Sequence, residues 1–251
     1  MTDHSPTSLR GRRALITGGT TGIGRAMAVM LAARGASVFV CGNDPQHLAD
    51  ALASIHAVQE HAGGSGGMTI DLSVADNVAR FFDAGEAALG GFDIAIVNAA
   101  VAARGLTQMT EPELRHAIAL DFTHYLLSAH EAARRMEKIG DIVLIGSMSA
   151  HVLGPSSTVY AGIKAGVAGF SEALRRELGP KGIRVALVEP GKTGSDMQKP
   201  DVPDDEQRRM IAEETMLAAE DIAAGVEFLL TQPSRSVIQQ IVIVPRAQEG
   251  E

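Results

Sequence analysis

The chain has no tryptophan, two tyrosines and a single cysteine in 251 residues. One cysteine excludes an internal disulfide framework and points to a reducing cytoplasm. Cys41 lies in "SVFVCG", whose aliphatic residues place it in a buried strand and not at a nucleophilic site. Basic residues are also scarce. The 22 Lys and Arg against 30 Asp and Glu give a net charge of −8, which disfavours nucleic acid and anionic membrane as partners. No apolar run reaches membrane-spanning length. The start, "MTDHSPTSLRGRR", lacks an apolar signal core, which argues against export. The eight histidines form no i, i+4 pair and no Cys–His cluster exists, so no metal site is expected.

Short aliphatic strands and longer helical segments alternate along the chain. Strands are expected at 13–17, 37–41, 68–72, 92–100, 141–147, 183–191 and 236–245. Helices are expected at 22–35, 45–61, 74–89, 111–136, 158–178 and 219–232. Strands apolar along their whole length are buried on both faces, as in a parallel sheet. Their alternation with helices gives an α/β fold, a doubly wound parallel sheet of about seven strands with helices on both faces. No linker or repeat divides residues 1–251, so a single domain is expected, with residues 1–10 as a flexible tail. The segment 192–214 is polar and proline-bearing, and an excursion of that length reads as a substrate loop or lid over 192–217.

Two motifs carry chemistry. "TGGTTGIG", residues 17–24, follows the first strand and opens the first helix. Gly18 allows the tight turn, Gly22 lets the backbone approach a pyrophosphate, and Gly24 lets the helix pack on the sheet. The helix N-terminus supplies donors and positive potential for phosphate. The second motif is "VYAGIK", residues 159–164. Tyr160 and Lys164 are one helical turn apart, and a nearby ammonium is expected to lower the tyrosine pKa. That pair alone is common and does not establish a site.

The motifs come in an order that resembles the short-chain dehydrogenase/reductases. T-G-x-x-x-G-I-G stands near the N-terminus, "NAA" follows the fourth strand, Ser147 lies thirteen residues before Tyr160, and "PG" follows the sixth strand. The resemblance covers roughly residues 9–245 and implies a Rossmann-type fold. It implies that Thr17, Gly18, Thr20, Thr21, Gly22, Ile23 and Gly24 bind a nicotinamide dinucleotide. Asp71, beside Leu72, matches the residue that hydrogen-bonds adenine; otherwise it is a strand-end or helix-cap carboxylate. Asn98, Ala99 and Ala100 match the N-A-G segment, with Ala100 replacing glycine. Pro190, Gly191 and Thr193 match the loop over the nicotinamide, and Ser195 stands where threonine is frequent.

For catalysis the resemblance implies Ser147 as the donor to the substrate oxygen, with neighbouring Ser149 as the other hydroxyl to weigh. Tyr160 is the general acid or base, and Lys164 its tuner and a ribose contact. Asp121 stands where the family has an asparagine in its proton relay, and a carboxylate there would pair with Lys164 and raise the tyrosine pKa. His151, four residues past Ser147, is placed to face the substrate pocket.

Either NAD or NADP fits the resemblance. Gly42, Asn43 and Thr21 offer no cation to a 2′-phosphate, and Asn43 can bind a ribose hydroxyl, which favours NAD. Asp44 comes late and reads as a helix N-cap, while Arg12, Arg13 and Arg25 are the more distant cations. The C-terminal stretch resembles a branch acting on hydroxy acids and small aldehydes, often with NADP. The expected function is hydride transfer between NAD(P) and a small alcohol or carbonyl substrate. A dinucleotide-dependent epimerase or dehydratase, and a non-enzymatic cofactor sensor, are the alternatives. The helices at 111–136 and 158–178 carry small residues on a second face, so a homodimer or homotetramer is expected.

Overall fold

The computed structural model describes residues 7–59, 64–136, 139–199 and 201–247. Its strands are β1 (Arg13–Ile16), β2 (Ser37–Gly42), β3 (Gly66–Thr69), β4 (Ile94–Val97), β5 (Gly140–Ile145), β6 (Ile183–Pro190) and β7 (Gln240–Ile243). They form one sheet in the order β3-β2-β1-β4-β5-β6-β7, and every pairing is parallel. The chain direction across the sheet reverses between β1 and β4, which opens a crevice at the carboxyl ends of those strands.

The helices are α1 (Gly22–Ala33), α2 (Pro45–Val58), α3 (Ala75–Leu89), α4 (Glu111–Ile118), α5 (His124–Arg135), α6 (Thr158–Leu178), α7 (Asp204–Ala212) and α8 (Ala219–Leu230). Side-chain alternation along the strands divides the core. Leu15, Ala95 and Val97 face α3, α5 and α6, with Phe81, Phe82, Ala129 and Val167. Ala14, Ile16, Ile94 and Ile96 face α1, α2 and α8, with Met27, Leu31, Ile55 and Val226. Each fully buried large aliphatic or phenylalanine side chain contributes about 1.5–3 kcal/mol. The scarce aromatics are pooled: Phe39, Phe81, Phe82 and Phe92 form a chain of rings with centroids 5.5–5.9 Å apart. Cys41 is fully buried, and burial pushes its thiol up to about 12.

Three expectations need correction. The third strand starts earlier than residue 68, because Gly66 and Gly67 pair with Phe39 and Val40. A Cβ on Gly67 would lie 2.7 Å from the Val40 carbonyl oxygen, so the glycines are what let this edge strand close in. The helix over 111–136 is interrupted: a π-helical turn, Ala119–Thr123, separates α4 from α5. Its loosened carbonyl at Leu120 accepts from His124 Nδ1 at 2.9 Å. Of the expected tail, residues 1–6 lie outside the described residues, whereas Leu9 is 3% exposed and the Thr7 N–H donates to the Thr231 carbonyl, so the chain is anchored from Thr7 onward.

Candidate active site

The crevice is built from the turn between β1 and α1. Thr17 is buried, and its Oγ1 accepts the N–H groups of Asn98 at 2.9 Å and Ala99 at 3.2 Å. In return Asn98 Nδ2 donates to the carbonyls of Thr17 and Gly18, at 3.3 and 2.9 Å. These two side chains clip the ends of β1 and β4 together. Gly18 has φ +62, and a Cβ there would sit 2.7 Å from Ala99 Cα. A Cβ on Gly24 would sit 1.9 Å from the Gly18 carbonyl oxygen, so the helix packs on the turn only with glycine. Thr21 precedes α1 without a side-chain cap, and the first turn holds no acidic residue. The first N–H groups of α1 therefore lack a side-chain acceptor, the condition for binding a pyrophosphate.

At the end of β2, Thr20 Oγ1 lies 2.2 Å from where a Cβ on Gly42 would be. The Thr20 methyl and hydroxyl fill the place of an acidic side chain at that position. Asn43 is exposed beside it, and Asp44 caps α2 by accepting the His47 N–H at 2.8 Å. Arg12 and Arg13 are at the opposite ends of the strands, held by Asp141 and Asp93. Asp71 is exposed, and hydrogen bonds from Ser73 hold its carboxyl below the ordinary carboxylate value. Leu72 is buried behind it.

Tyr160 lies in the first turn of α6, half-buried, with Lys164 one turn later and 1% exposed. Lys164 Nζ does not bond the Tyr160 hydroxyl. It donates to the Ile145 carbonyl at 3.0 Å and to Tyr125 Oη at 3.2 Å, lying 5.6 Å from the centre of the Tyr160 ring. The expected lowering of the Tyr160 pKa is therefore corrected. Desolvation and the Asp121 charge raise it well above 10, and the neighbouring Ser147 hydroxyl opposes them. Burial depresses Lys164 to about 8, opposed by the charge of Asp121.

Asp121 sits in the π-helical turn, fully buried. Its Oδ1 accepts the Val101 N–H at 2.8 Å, while Oδ2 has no protein partner. Burial pushes this carboxyl up to about 6, with Lys164 pulling it down. Asp121 and Lys164 form no direct ion pair among the described residues. Ser147 Oγ donates to Ser149 Oγ at 3.2 Å and accepts the Ser149 N–H at 3.1 Å, so the two serines that compete for the substrate oxygen are bonded to each other.

The far wall is the end of β6. Gly191 N–H donates to the Ile243 carbonyl, and buried Thr193 Oγ1 donates to the Gly191 carbonyl at 2.9 Å. Ser195 is pinned by Gln207, whose Oε1 accepts its N–H at 2.9 Å. Ser195 Cβ lies 3.1 Å from where a Cβ on Gly22 would be, so this loop covers the glycine-rich turn. His151 is bonded to buried Glu189 at 2.8 Å, and Gln240 donates to the same carboxylate oxygen. Among the described residues no group of three or more His, Cys, Asp or Glu is placed to hold a metal ion.

Sequence reasoning missed Tyr125 and Glu189. Tyr125 is the other of the two tyrosines, one turn past Asp121, and that spacing to a buried-site residue was the available signal. Glu189, directly before "PG" in an otherwise aliphatic strand, is a polar residue at a position where burial predicts an apolar one.

A family model described as short chain dehydrogenase matches residues 12–206. Among curated relatives, elsinochrome reductase 1 from Elsinoe fawcettii is 34% identical over 196 residues, covering 77% of this chain and 72% of that protein. The 3-oxoacyl-(acyl-carrier-protein) reductase FabG of Haemophilus influenzae is 31% identical over 229 residues, covering 88% and 91%. A crystal structure of a short chain dehydrogenase from Burkholderia cenocepacia in complex with NADP superposes with a TM-score of 0.84 at 31% identity, covering 95% of this chain and 98% of that one.

Proposed function

Because this chain belongs to the short-chain dehydrogenase/reductase family and is an NAD(P)-dependent oxidoreductase, we propose that Tyr160 is its general acid, acting on a small carbonyl substrate held by Ser147. The observation that carries this reading is the convergence of Ser147, Tyr160 and buried Lys164 at the carboxyl end of β5, beside the glycine-rich turn. Gly18, Gly22, Gly24 and the open N-terminus of α1 would hold the pyrophosphate. Asn98, Ala99, Ala100, Pro190, Gly191 and Thr193 would line the nicotinamide half, and Asp71 with Leu72 the adenine half. The nicotinamide, when bound, supplies or accepts the hydride.

Ser147 turns its hydroxyl from Ser149 to the substrate oxygen and holds it against Tyr160. Tyr160 then donates its proton to that oxygen as negative charge develops there. Lys164 places a cation below the phenol. The phenol keeps its proton at neutral pH, which is the form that donates in carbonyl reduction. Alcohol oxidation requires the phenolate and therefore higher pH. The reductase names of the relatives agree with this direction. The loop over 192–217 serves as the substrate lid. Following nicotinamide absorbance across a panel of aldehydes, ketones and alcohols tests the reading; no carbonyl-dependent turnover with either cofactor would defeat it.

For the cofactor, the environment of Thr20, Gly42 and Asn43 supports NAD binding at least as well as NADP. Gly42, Asn43 and Thr21 themselves offer no cation to a 2′-phosphate, and Arg12 and Arg13 are engaged with Asp141 and Asp93 at the opposite ends of the strands. For assembly, Gly162, Ala165, Gly169 and Ala173 form an exposed stripe of small residues along α6, with open space above Gly162 and Gly169. Such a stripe suits close packing of α6 against a second copy, giving a homodimer or a larger closed assembly. Light scattering showing only monomer would remove that reading. No helix is long and apolar enough to cross a membrane among the described residues.

A further inference from the structure

We propose that Tyr125 is a positioning residue for Lys164, fixing the ammonium on the floor of the active site. The inference rests on the oxidoreductase reading of the same site and goes beyond it to a residue outside the motifs. Three atoms form a closed triangle. Lys164 Nζ donates to Tyr125 Oη at 3.2 Å and to the Ile145 carbonyl at 3.0 Å, and Tyr125 Oη donates to the same carbonyl at 2.9 Å. A carbonyl oxygen has two lone pairs, and Lys164 and Tyr125 occupy both. The phenol has one proton, shared between the Ile145 carbonyl at 2.9 Å and the more distant Asn98 carbonyl at 3.4 Å, so it meets Lys164 as an acceptor only. An ammonium has three protons. Two are committed to the triangle, and one is left for a cofactor ribose.

The surroundings make this arrangement costly to lose. Tyr125 and Lys164 are 0% and 1% exposed. The Nζ also lies 4.7 Å from the centre of the Tyr125 ring, within range of a cation–π contact. Asp121 and His124 from the turn and α5, Tyr160 on α6 and Ser147 past β5 are the other titratable or polar groups around the lysine. His124 is pushed down to about 4 by burial and adds no charge at neutral pH. Asp121 is the one carboxylate influencing Lys164, and it does so without a direct bond. The ammonium is therefore held by two neutral oxygens. Removing one leaves the buried charge with a single protein partner, and a buried cation short of partners releases its proton at lower pH.

Tyr125→Phe keeps the ring and removes only Oη. A lost hydrogen bond to a charged group corresponds to about tenfold or more in rate. The variant should lose kcat by that factor in carbonyl reduction with the carbonyl KM little changed. The alkaline limb of its kcat profile should move to lower pH. Ser128→Ala is the control, because Ser128 is buried on the same helix and its Oγ has no protein partner. It should leave the profile where it is. An unmoved profile in Tyr125→Phe, or an equal shift in Ser128→Ala, would reduce Tyr125 to packing. A measurement on the wild-type holoenzyme stands apart from folding and turnover. With isotope-labelled lysine and tyrosine, the Lys164 side chain should keep its nuclear Overhauser contact with the Tyr125 ring when NADH or NADPH is bound. Loss of that contact on cofactor binding overturns the proposal even if Tyr125→Phe does not fold. Absence of wild-type turnover counts against the oxidoreductase reading and leaves this contact as the deciding result.

Discussion

At the amino-terminal ends of the strands, Asp141 is buried yet holds Arg12 at 2.9 Å and Arg184 at 2.6 Å, while Asp93 holds Arg13 at 3.1 Å. Arg184 also donates to the Leu230 and Gln232 carbonyls, tying β6 to the end of α8. At the carboxyl ends the pattern reverses. Asp121 Oδ2, His124 Nε2 and Glu189 Oε1 are buried with no protein partner. A buried polar atom left unmade costs about 1–3 kcal/mol, so the second end carries a burden that the first does not. The difference teaches where this fold tolerates incomplete satisfaction among the described residues: beside the crevice where a cofactor and substrate have to enter, and not at the closed end.

The largest expected effect separates the two ends by activity. Tyr160→Phe should lower turnover by about 10² to 10⁴ while cofactor affinity and melting temperature stay near wild type. Steady-state rates, fluorescence titration and a thermal scan measure all three, and near-normal turnover would take Tyr160 out of the acid–base role. Asp141→Ala should do the opposite. Removing one partner of a buried ion pair costs about 3–5 kcal/mol, which for a chain of this size lowers the melting temperature by roughly 10 °C. Turnover per folded molecule should be unchanged, and a fall in kcat at low temperature would show that the two ends are coupled.

Asp121→Asn should sharpen the comparison through pH. The Asp121 carboxyl is raised from 3.8 to about 6, so the folded protein holds that proton more tightly than the unfolded chain does. The stability it contributes is fully present below the unfolded value and is lost as pH rises through the folded one. Above that window the buried charge is a cost on the order of 2–3 kcal/mol, which asparagine removes. The variant should therefore melt higher than wild type at neutral pH, and the gap should close as pH falls toward 4. A gap that does not change with pH would mean that the carboxylate is relieved by a partner. The same substitution removes a charge that raises Tyr160, so the onset of alcohol oxidation should move to lower pH.

The smallest effect concerns cofactor choice. Asn43 is exposed, so Asn43→Arg offers a 2′-phosphate a solvent-screened partner worth about 1 kcal/mol. Dissociation constants for both cofactors should shift severalfold toward NADP. A strong wild-type preference for NADP would show that a cation outside the end of β2 meets the phosphate.

The alternation of aliphatic strands and helices was enough to anticipate the doubly wound sheet, because burial on both faces leaves a mark on every strand residue. The bounds of α6 were legible to the residue, since Tyr160, Lys164 and the apolar stripe share one period. The start of β3 was not, because glycines in a strand look like a loop until their partners Phe39 and Val40 are known. The aspartate at position 121 was legible, and its direction of effect on Tyr160 follows from its negative charge. The expected lowering of the Tyr160 pKa by Lys164 was not met, because spacing reports neighbours along one helix. The atoms that hold its ammonium come from β5 and α5, and no period in the chain connects them. Thr20 over Gly42 is a contact of the same kind, between residues whose side-chain directions only the folded turn sets.

The π-helical turn at Ala119–Thr123 bears on how the chain tolerates length change. A π turn contains one residue more than the α-helical path it replaces. Deleting Phe122 would let the backbone revert to a continuous α-helix, and everything on one side would rotate by about 100° against the other. If α5 keeps its packing, Asp121 swings out of the interior and the Val101 N–H loses its acceptor. If α4 keeps its place, Tyr125 turns away from Lys164 and a surface residue of α5 is forced inward. The extra residue thus works as a phase shift. It sets the phase in which Asp121 meets the Val101 N–H while Tyr125 meets Lys164.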